Sequence, residues 1–93
     1  MEDRLFKEID RLIAKVKDEH VRQIGKWGVQ DRSPFEWLTY TTEELGELAN
    51  AISEHHYRNG NSEQVIKEAI QVATLSLKIA EMYLKPLDEV VAR

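Results

Sequence analysis

Residues 63–84 constrain the fold more than any other part of this 93-residue chain. A helix drawn through them carries apolar side chains in nearly every direction: Val65, Ile66, Ala69, Ile70, Val72, Ala73, Leu75, Leu77, Ile79, Ala80, Met82 and Tyr83. A helix that is apolar all round must be covered all round. The rest of the chain is too short to supply that cover, so part of this helix is predicted to pack against another copy of the protein.

Two further helices are predicted ahead of this segment. Apolar residues recur at a spacing near 3.6 over residues 2–23, which predicts a first amphipathic helix. Residues 25–32 contain two glycines without a sustained period and are predicted to form a loop. Ser33 at an N-cap, Pro34 at the first helical position and Glu36 at the third predict a second helix over residues 34–57.

The connections predict how these helices are arranged. Residues 59–62, Asn-Gly-Asn-Ser, form a short turn that ends the second helix and begins the third, so the two should be antiparallel. Pro86 ends the third helix and leaves residues 87–93 for a short C-terminal helix. We therefore expect one all-α domain over residues 1–93, an antiparallel bundle of three long helices and a short fourth, completed by oligomerisation.

Composition excludes several classes of function. The chain has no Cys, which rules out disulfides, thiolate catalysis and Cys-based zinc sites. Its 13 Lys and Arg are scattered among 17 Asp and Glu, and the net charge of −4 argues against binding to a nucleic-acid duplex. No apolar run approaches the roughly 18 residues of a membrane span, and no apolar signal segment follows Met1. We therefore expect a cytoplasmic protein without a membrane or duplex partner.

Glu43, Glu44 and Glu47 fall on one arc of roughly 100° of the second helix, where like charges repel. The third helix places Glu68 and Gln71, three residues apart, on its one narrow hydrophilic stripe. Oxygen atoms from these two helices facing each other would suit Mg²⁺ or Mn²⁺. The spacing alone leaves two interpretations open, which are a metal site and a solvated acidic face.

The order of these residues resembles a known family. Glu43-Glu44-Leu45-Gly46-Glu47 followed by Glu68-Ala69-Ile70-Gln71 resembles the Glu-Glu-x-x-Glu and Glu-x-x-Asp motifs of the MazG-like all-α nucleoside triphosphate pyrophosphohydrolases, which include dimeric dUTPases and dCTP pyrophosphatases. Residues 26–38, Lys-Trp-Gly-Val-Gln-Asp-Arg-Ser-Pro-Phe-Glu-Trp-Leu, are similar to the segment that precedes the motif in small members. Gln71 stands where the family usually has Asp, which removes one negative charge.

The resemblance implies an enzyme that depends on Mg²⁺, or on Mn²⁺ in its place. Glu44, Glu47 and Glu68 would coordinate the metal, with Gln71 at the fourth ligand position. A carboxylate, Glu43 or Glu47, would orient the attacking water and act as the catalytic residue.

The resemblance also implies a nucleoside triphosphate substrate and a homodimer or homotetramer. Trp27 matches the position of a base-stacking aromatic residue in related dCTP pyrophosphatases. Lys26 beside it is a further candidate for substrate binding. The basic C-terminal segment that contacts phosphates in some members is not evident after Pro86, and Lys78 on the hydrophilic stripe is the candidate to replace it. Two alternatives remain: a non-catalytic or weakly active nucleotide-binding or assembly module, which Gln71 motivates, and a helical scaffold with a solvated acidic face.

Overall fold

The computed structural model describes residues 6–84. Three helices make up most of this range: α1 is Ile9–Trp27, α2 is Pro34–Arg58 and α3 is Ser62–Tyr83. The described part of the chain contains no strand, which confirms the all-α prediction there. The short helix predicted over residues 87–93 lies outside the described residues.

Within the described residues the first helix begins at Ile9 and ends later than predicted, and residues 2–5 of its predicted range lie outside that part of the chain. Phe6 adopts a left-handed φ of 64°, which an α-helix cannot include, and the regular helix begins at Ile9. At the other end the helix continues through Gly25, where the sequence predicted a loop, and ends at Trp27. Gly28 then takes a φ of 74°, a conformation that glycine adopts without steric cost, and the chain leaves the helix there.

The start of the second helix is where the sequence predicts it. The Ser33 hydroxyl accepts a hydrogen bond from the Glu36 backbone N–H at 3.2 Å, and the Glu36 carboxylate accepts one from the Ser33 N–H at 3.0 Å. Pro34 occupies the first helical position, which requires no N–H donor. The predicted capping box is therefore confirmed.

A tight turn joins α2 to α3. Asn59 ends α2 with a left-handed φ of 57°, and the Gly60 N–H donates to the Glu54 carbonyl at 2.8 Å. A Cβ atom at Gly60 would lie 3.0 Å from the Glu54 backbone, so only glycine fits without displacement. The Asn61 side chain then caps α3 by accepting from the Glu63 N–H at 2.8 Å.

The third helix lies between the other two. It packs antiparallel to α2, since Trp37 lies by Lys78 at one end while Glu44 lies by Gln71 farther along. It also packs against α1. No Cα atom of α1 comes within 8 Å of one in α2. The two outer helices therefore leave a cleft between them, and the described helices form an open arrangement.

The core of the described residues is small. Ala51 and Leu75 are the only apolar side chains in residues 6–84 that are buried, and Thr74 and Glu68 are the buried polar ones. Helix α1 contains no buried residue. None of the described helices combines the length and the apolar character that crossing a bilayer requires.

Candidate metal centre and adjoining cleft

The middle of α2 and the first half of α3 bring three glutamates together. Glu44 and Glu47 lie on the α2 face that also includes Ala51, because steps of three and four residues return to the same side of a helix. One carboxylate oxygen from each of Glu44, Glu47 and Glu68 lies within 4.8 Å of the other two. Three of the four predicted metal ligands therefore lie close enough together to share one ion.

The cluster contains no neutralising side chain. Glu68 is 7% exposed and is the one buried charged residue within 6–84, while Glu44 is half-buried and Glu47 is exposed. The ion pairs of the described chain use other carboxylates, namely Glu8, Glu19, Glu36 and Glu54. Burying a carboxylate without a cationic partner is costly, so a proton, a cation or a hydrogen-bond donor beside the cluster would stabilise it.

The pKa of Glu44 reflects this cost. Burial, followed by the charges of Glu47 and Glu68, raises its pKa from 4.5 to about 7. Hydrogen bonds to the same two carboxylates raise the pKa further in the same direction. In the metal-free protein, the cluster therefore retains a proton at a pH where isolated carboxylates have lost theirs.

Gln71, the predicted fourth ligand, lies against this cluster. With its amide nitrogen facing the carboxylates, it donates to Glu68 Oε1 at 2.8 Å and to Glu44 Oε2 at 2.7 Å. With its oxygen facing them, it meets only acceptors, and a cation among these oxygens would stabilise that orientation. The amide can thus bond the metal-free cluster or complete a set of oxygen ligands.

Glu43 is not a member of the cluster. It precedes Glu44 by one residue, so its side chain leaves α2 about 100° away from that of Glu44. It is exposed and lines the adjoining cleft, as Glu44 also does. Glu43 is therefore separate from the three clustered glutamates, but it lines the cleft that adjoins them.

The cleft has a volume of about 480 Å³ and is formed by the end of α1, the following connection, the start of α2 and the end of α3. Trp27, Trp37 and Tyr40 line it, together with Lys78 and Arg32. Lys78 Nζ lies 5.0 Å from the centre of the Trp37 ring, and the Arg32 guanidinium lies 5.0 Å from that of Tyr40. The aromatic faces suit a ligand with an aromatic group. Glu43, Glu44 and Glu81 also line the cleft, so an anionic group there would need a bound cation beside these carboxylates.

The two predicted lysines differ in position. Lys78 is half-buried in the cleft and donates a hydrogen bond to Gln23 Oε1 of α1. Its burial lowers its pKa, and the charge of Glu19 acts in the opposite direction. Lys26 lies over the Trp27 ring at 4.7 Å but does not line the cleft. The structure therefore places Lys78 and Trp27 in the cleft and leaves Lys26 at its edge.

Trp37 and Tyr40 are lining residues that the sequence did not identify. From its position near the start of α2, Trp37 is predicted to be a core or interface residue. Nothing in the sequence around Tyr40 indicates a binding role. Both precede Glu44 on the same helical face, at steps of three and four residues. That spacing is the feature that could have placed them beside the acidic cluster.

No family model, curated protein or solved structure matches this chain. A functional interpretation must therefore come from the geometry of the cluster and cleft and from the motifs that resemble the MazG-like family.

Proposed function

We propose that this protein is a Mg²⁺-dependent pyrophosphohydrolase that converts a nucleoside or deoxynucleoside triphosphate into the monophosphate and pyrophosphate. The observation that carries this proposal is the convergence of Glu44, Glu47 and Glu68 within 4.8 Å beside an aromatic cleft that Lys78 and Arg32 also line. Glu44 belongs to both, so a ligand in the cleft would lie next to the cluster. The resemblance of the motifs to the MazG-like family supports the same reaction.

The donor set fits a hard divalent cation. Glu44, Glu47 and Glu68 would hold Mg²⁺, or Mn²⁺, through carboxylate oxygens, and Gln71 would add a neutral oxygen. A bound ion of this kind neutralises phosphate charge and lowers the pKa of a coordinated water.

The side chains themselves would orient the reactants. Glu47, or Glu43 at the edge of the cleft, would accept the proton of the attacking water and direct its oxygen at the α-phosphorus. A bond from that oxygen to the α-phosphorus forms as the bond to the bridging α–β oxygen breaks, so pyrophosphate leaves with the bonding electrons. Lys78 would attract the phosphates, and Trp27 would stack on the base.

Pyrophosphate release from a panel of nucleotides tests this proposal. The purified full chain should release pyrophosphate with Mg²⁺ or Mn²⁺, and Glu47→Gln should lower turnover by about 100-fold or more. Glu54→Gln is the matched control, since Glu54 lies on the same helix but pairs with Arg58 at 2.8 Å. Absence of release, or full activity of the Glu47 variant, would refute the proposal.

The Gln71 amide favours a second candidate, a nucleotide-binding or assembly module with weak or no turnover. With its nitrogen facing the carboxylates, the amide donates hydrogen bonds to Glu44 and Glu68 and stabilises the cluster without a cation. Gln71→Asp distinguishes the two functions, because it restores the fourth carboxylate of the motif. A marked gain of turnover would identify a weakened site, whereas unchanged high turnover would show that the amide is sufficient.

The proposal includes a cellular role and an oligomeric state for the enzyme. Acting on free nucleotides, it would serve the cytoplasmic nucleotide pool by removing triphosphates. It would work as a homodimer or homotetramer, because the described residues bury only two apolar side chains and α3 lies open on part of its surface.

A further inference from the structure

A series of hydrogen-bonded side chains leads from α1 to the cleft. Lys78 of α3 donates to Gln23 Oε1, and Gln23 Nε2 donates to Glu19 Oε2 at 2.7 Å. Arg22 donates to the two oxygens of Glu19, from Nε at 3.0 Å and from Nη2 at 2.7 Å. Among the side-chain hydrogen bonds of residues 6–84, the one between Gln23 and Lys78 alone joins α1 to another helix.

Glu19 determines which way the Gln23 amide points. An ionised carboxylate only accepts hydrogen bonds, so the NH₂ group of Gln23 must face it. The carbonyl oxygen of the same amide is then left to face Lys78. The reverse orientation would place N–H groups against the Lys78 ammonium and an oxygen against the Glu19 carboxylate, and both contacts would be repulsive.

Glu19 is well held for this purpose. Its side chain is 10% exposed, and its carboxylate accepts from both Arg22 and Gln23. Hydrogen bonding from Arg22 lowers the pKa of Glu19, although burial acts in the opposite direction. The carboxylate therefore stays ionised at a pH where Lys78 is charged, and it remains an acceptor.

Lys78 is held from a second direction by Trp37. Its Nζ lies 5.0 Å from the centre of the Trp37 ring, on the wall of the cleft. Lysine has a flexible four-carbon stem, so a ligand that binds a free lysine must first immobilise it. An ammonium carries three N–H donors, and one that gives a single hydrogen bond to Gln23 keeps others for a ligand.

We propose that Gln23 is a positioning residue for Lys78, which it holds over the Trp37 ring so that the cation is already in place when a ligand enters the cleft. Glu19 acts one step behind it by fixing the direction of the amide. The benefit to nucleotide binding rests on the proposed function, whereas the placement of Lys78 does not. Helix α1, which has no buried residue, would thus contribute to the site through its polar side chains.

The ¹H–¹³C spectrum of the full chain, without metal or nucleotide, tests the placement of Lys78. The face of the Trp37 ring should shift the ε-methylene protons of Lys78 upfield, and Lys78→Met identifies their signal by its loss. Gln23→Met should move that signal toward those of exposed lysines. Gln30→Met is the matched control, because Gln30 also lines the cleft but its amide accepts from Arg32 at 2.9 Å. That variant should leave the Lys78 signal where it is.

A double-mutant cycle tests the consequence for binding. Gln23→Met should weaken nucleotide binding by about fivefold, measured by quenching of tryptophan fluorescence. In a chain that already carries Lys78→Met, the same substitution should cause no further loss, because the side chain that it positions is gone. A residue that only supported the fold would weaken binding equally in both chains.

Exchanging the two α1 side chains keeps the test decisive if Gln23→Met disturbs folding. In the double variant Glu19→Gln/Gln23→Glu, the carboxylate at position 23 can accept from Lys78 and from the amide at position 19. The oxygen of that amide can still accept from Arg22, and the net charge is unchanged. This variant should keep the upfield signal of Lys78 and should bind nucleotide within about twofold of the wild type.

Three results would overturn the proposal. They are a Lys78 signal that is not shifted upfield in the wild type or that Gln23→Met leaves unchanged, equal weakening of nucleotide binding by Gln23→Met with and without Lys78, and loss of the upfield signal in the exchanged variant. If no nucleotide binds at all, the proposed enzyme function fails, but the spectra still decide whether Gln23 positions Lys78.

Discussion

Glu44 connects the two parts of the site, because its carboxylate belongs to the acidic cluster and also lines the cleft. Its raised pKa comes from burial and from Glu47 and Glu68, the same features that would make it a metal ligand. A proton and a divalent cation therefore compete for the same oxygens. The chemistry of the site at the residue scale depends on which of the two is bound.

The pH dependence of stability follows from this pKa. Folding raises the Glu44 pKa from 4.5 to about 7, so between these values the folded chain binds the proton more tightly than the unfolded chain. In metal-free protein this group should lower the free energy of unfolding as pH rises through that range, by about 2 kcal/mol once solvent screening of the half-buried carboxylate is allowed for. Urea denaturation in a chelator, near pH 5 and near pH 8, measures the change.

Glu44→Gln is the control for that experiment. It removes the titrating group and keeps an amide of similar size, so its stability should fall less with pH than that of the wild type. The difference between the two proteins cancels the contribution of other titrating residues. Equal pH dependence in wild type and variant would show that Glu44 does not carry the proton.

The two lysines give a second prediction at this scale. Lys78→Met removes the cation that lies in the cleft over Trp37 and should weaken nucleotide binding by about tenfold. Lys26→Met removes a lysine at the edge of the cleft, and its effect should be small. Quenching of tryptophan fluorescence by nucleotide measures both. A larger loss for the Lys26 variant would place the phosphates elsewhere.

The helices themselves follow closely from local sequence. Ser33 and Glu36 form the predicted capping box, and Asn59 and Asn61 end and begin helices where expected. The boundaries of α1 were less accurate, because a glycine inside a helix gives a weak local signal and Gly25 did not end it. Local chemistry thus predicts a helix end well where a side chain caps it.

Replacing the N-cap of α2 tests this view of the elements. Ser33→Ala removes the acceptor for the Glu36 N–H and should lower the free energy of unfolding by about 1 kcal/mol. Ser76→Ala, at an exposed position inside α3, should change it little, since Ala is the better helix former. Urea denaturation of the two variants compares them. Equal losses would mean that the cap contributes no specific stability.

At the scale of the whole molecule, residues 6–84 form an open set of helices in which α3 contacts both α1 and α2. Glu44, Glu47, Glu68 and Gln71 could be grouped from sequence because two motifs on adjacent antiparallel helices suffice to bring them together. The cleft could not be predicted in the same way. It depends on how α1 packs on α3 without reaching α2, and this packing has no local signature in the sequence.

Binding of divalent metal by the glutamate cluster is the central claim, and a titration with Mn²⁺ monitored by electron paramagnetic resonance tests it directly. The wild type should show saturable binding that Mg²⁺ competes away. Glu68→Gln should weaken that binding by about tenfold or more, and Glu54→Gln should leave it unchanged. Binding that is absent in the wild type, or equal in the wild type and the Glu68 variant, would contradict the claim.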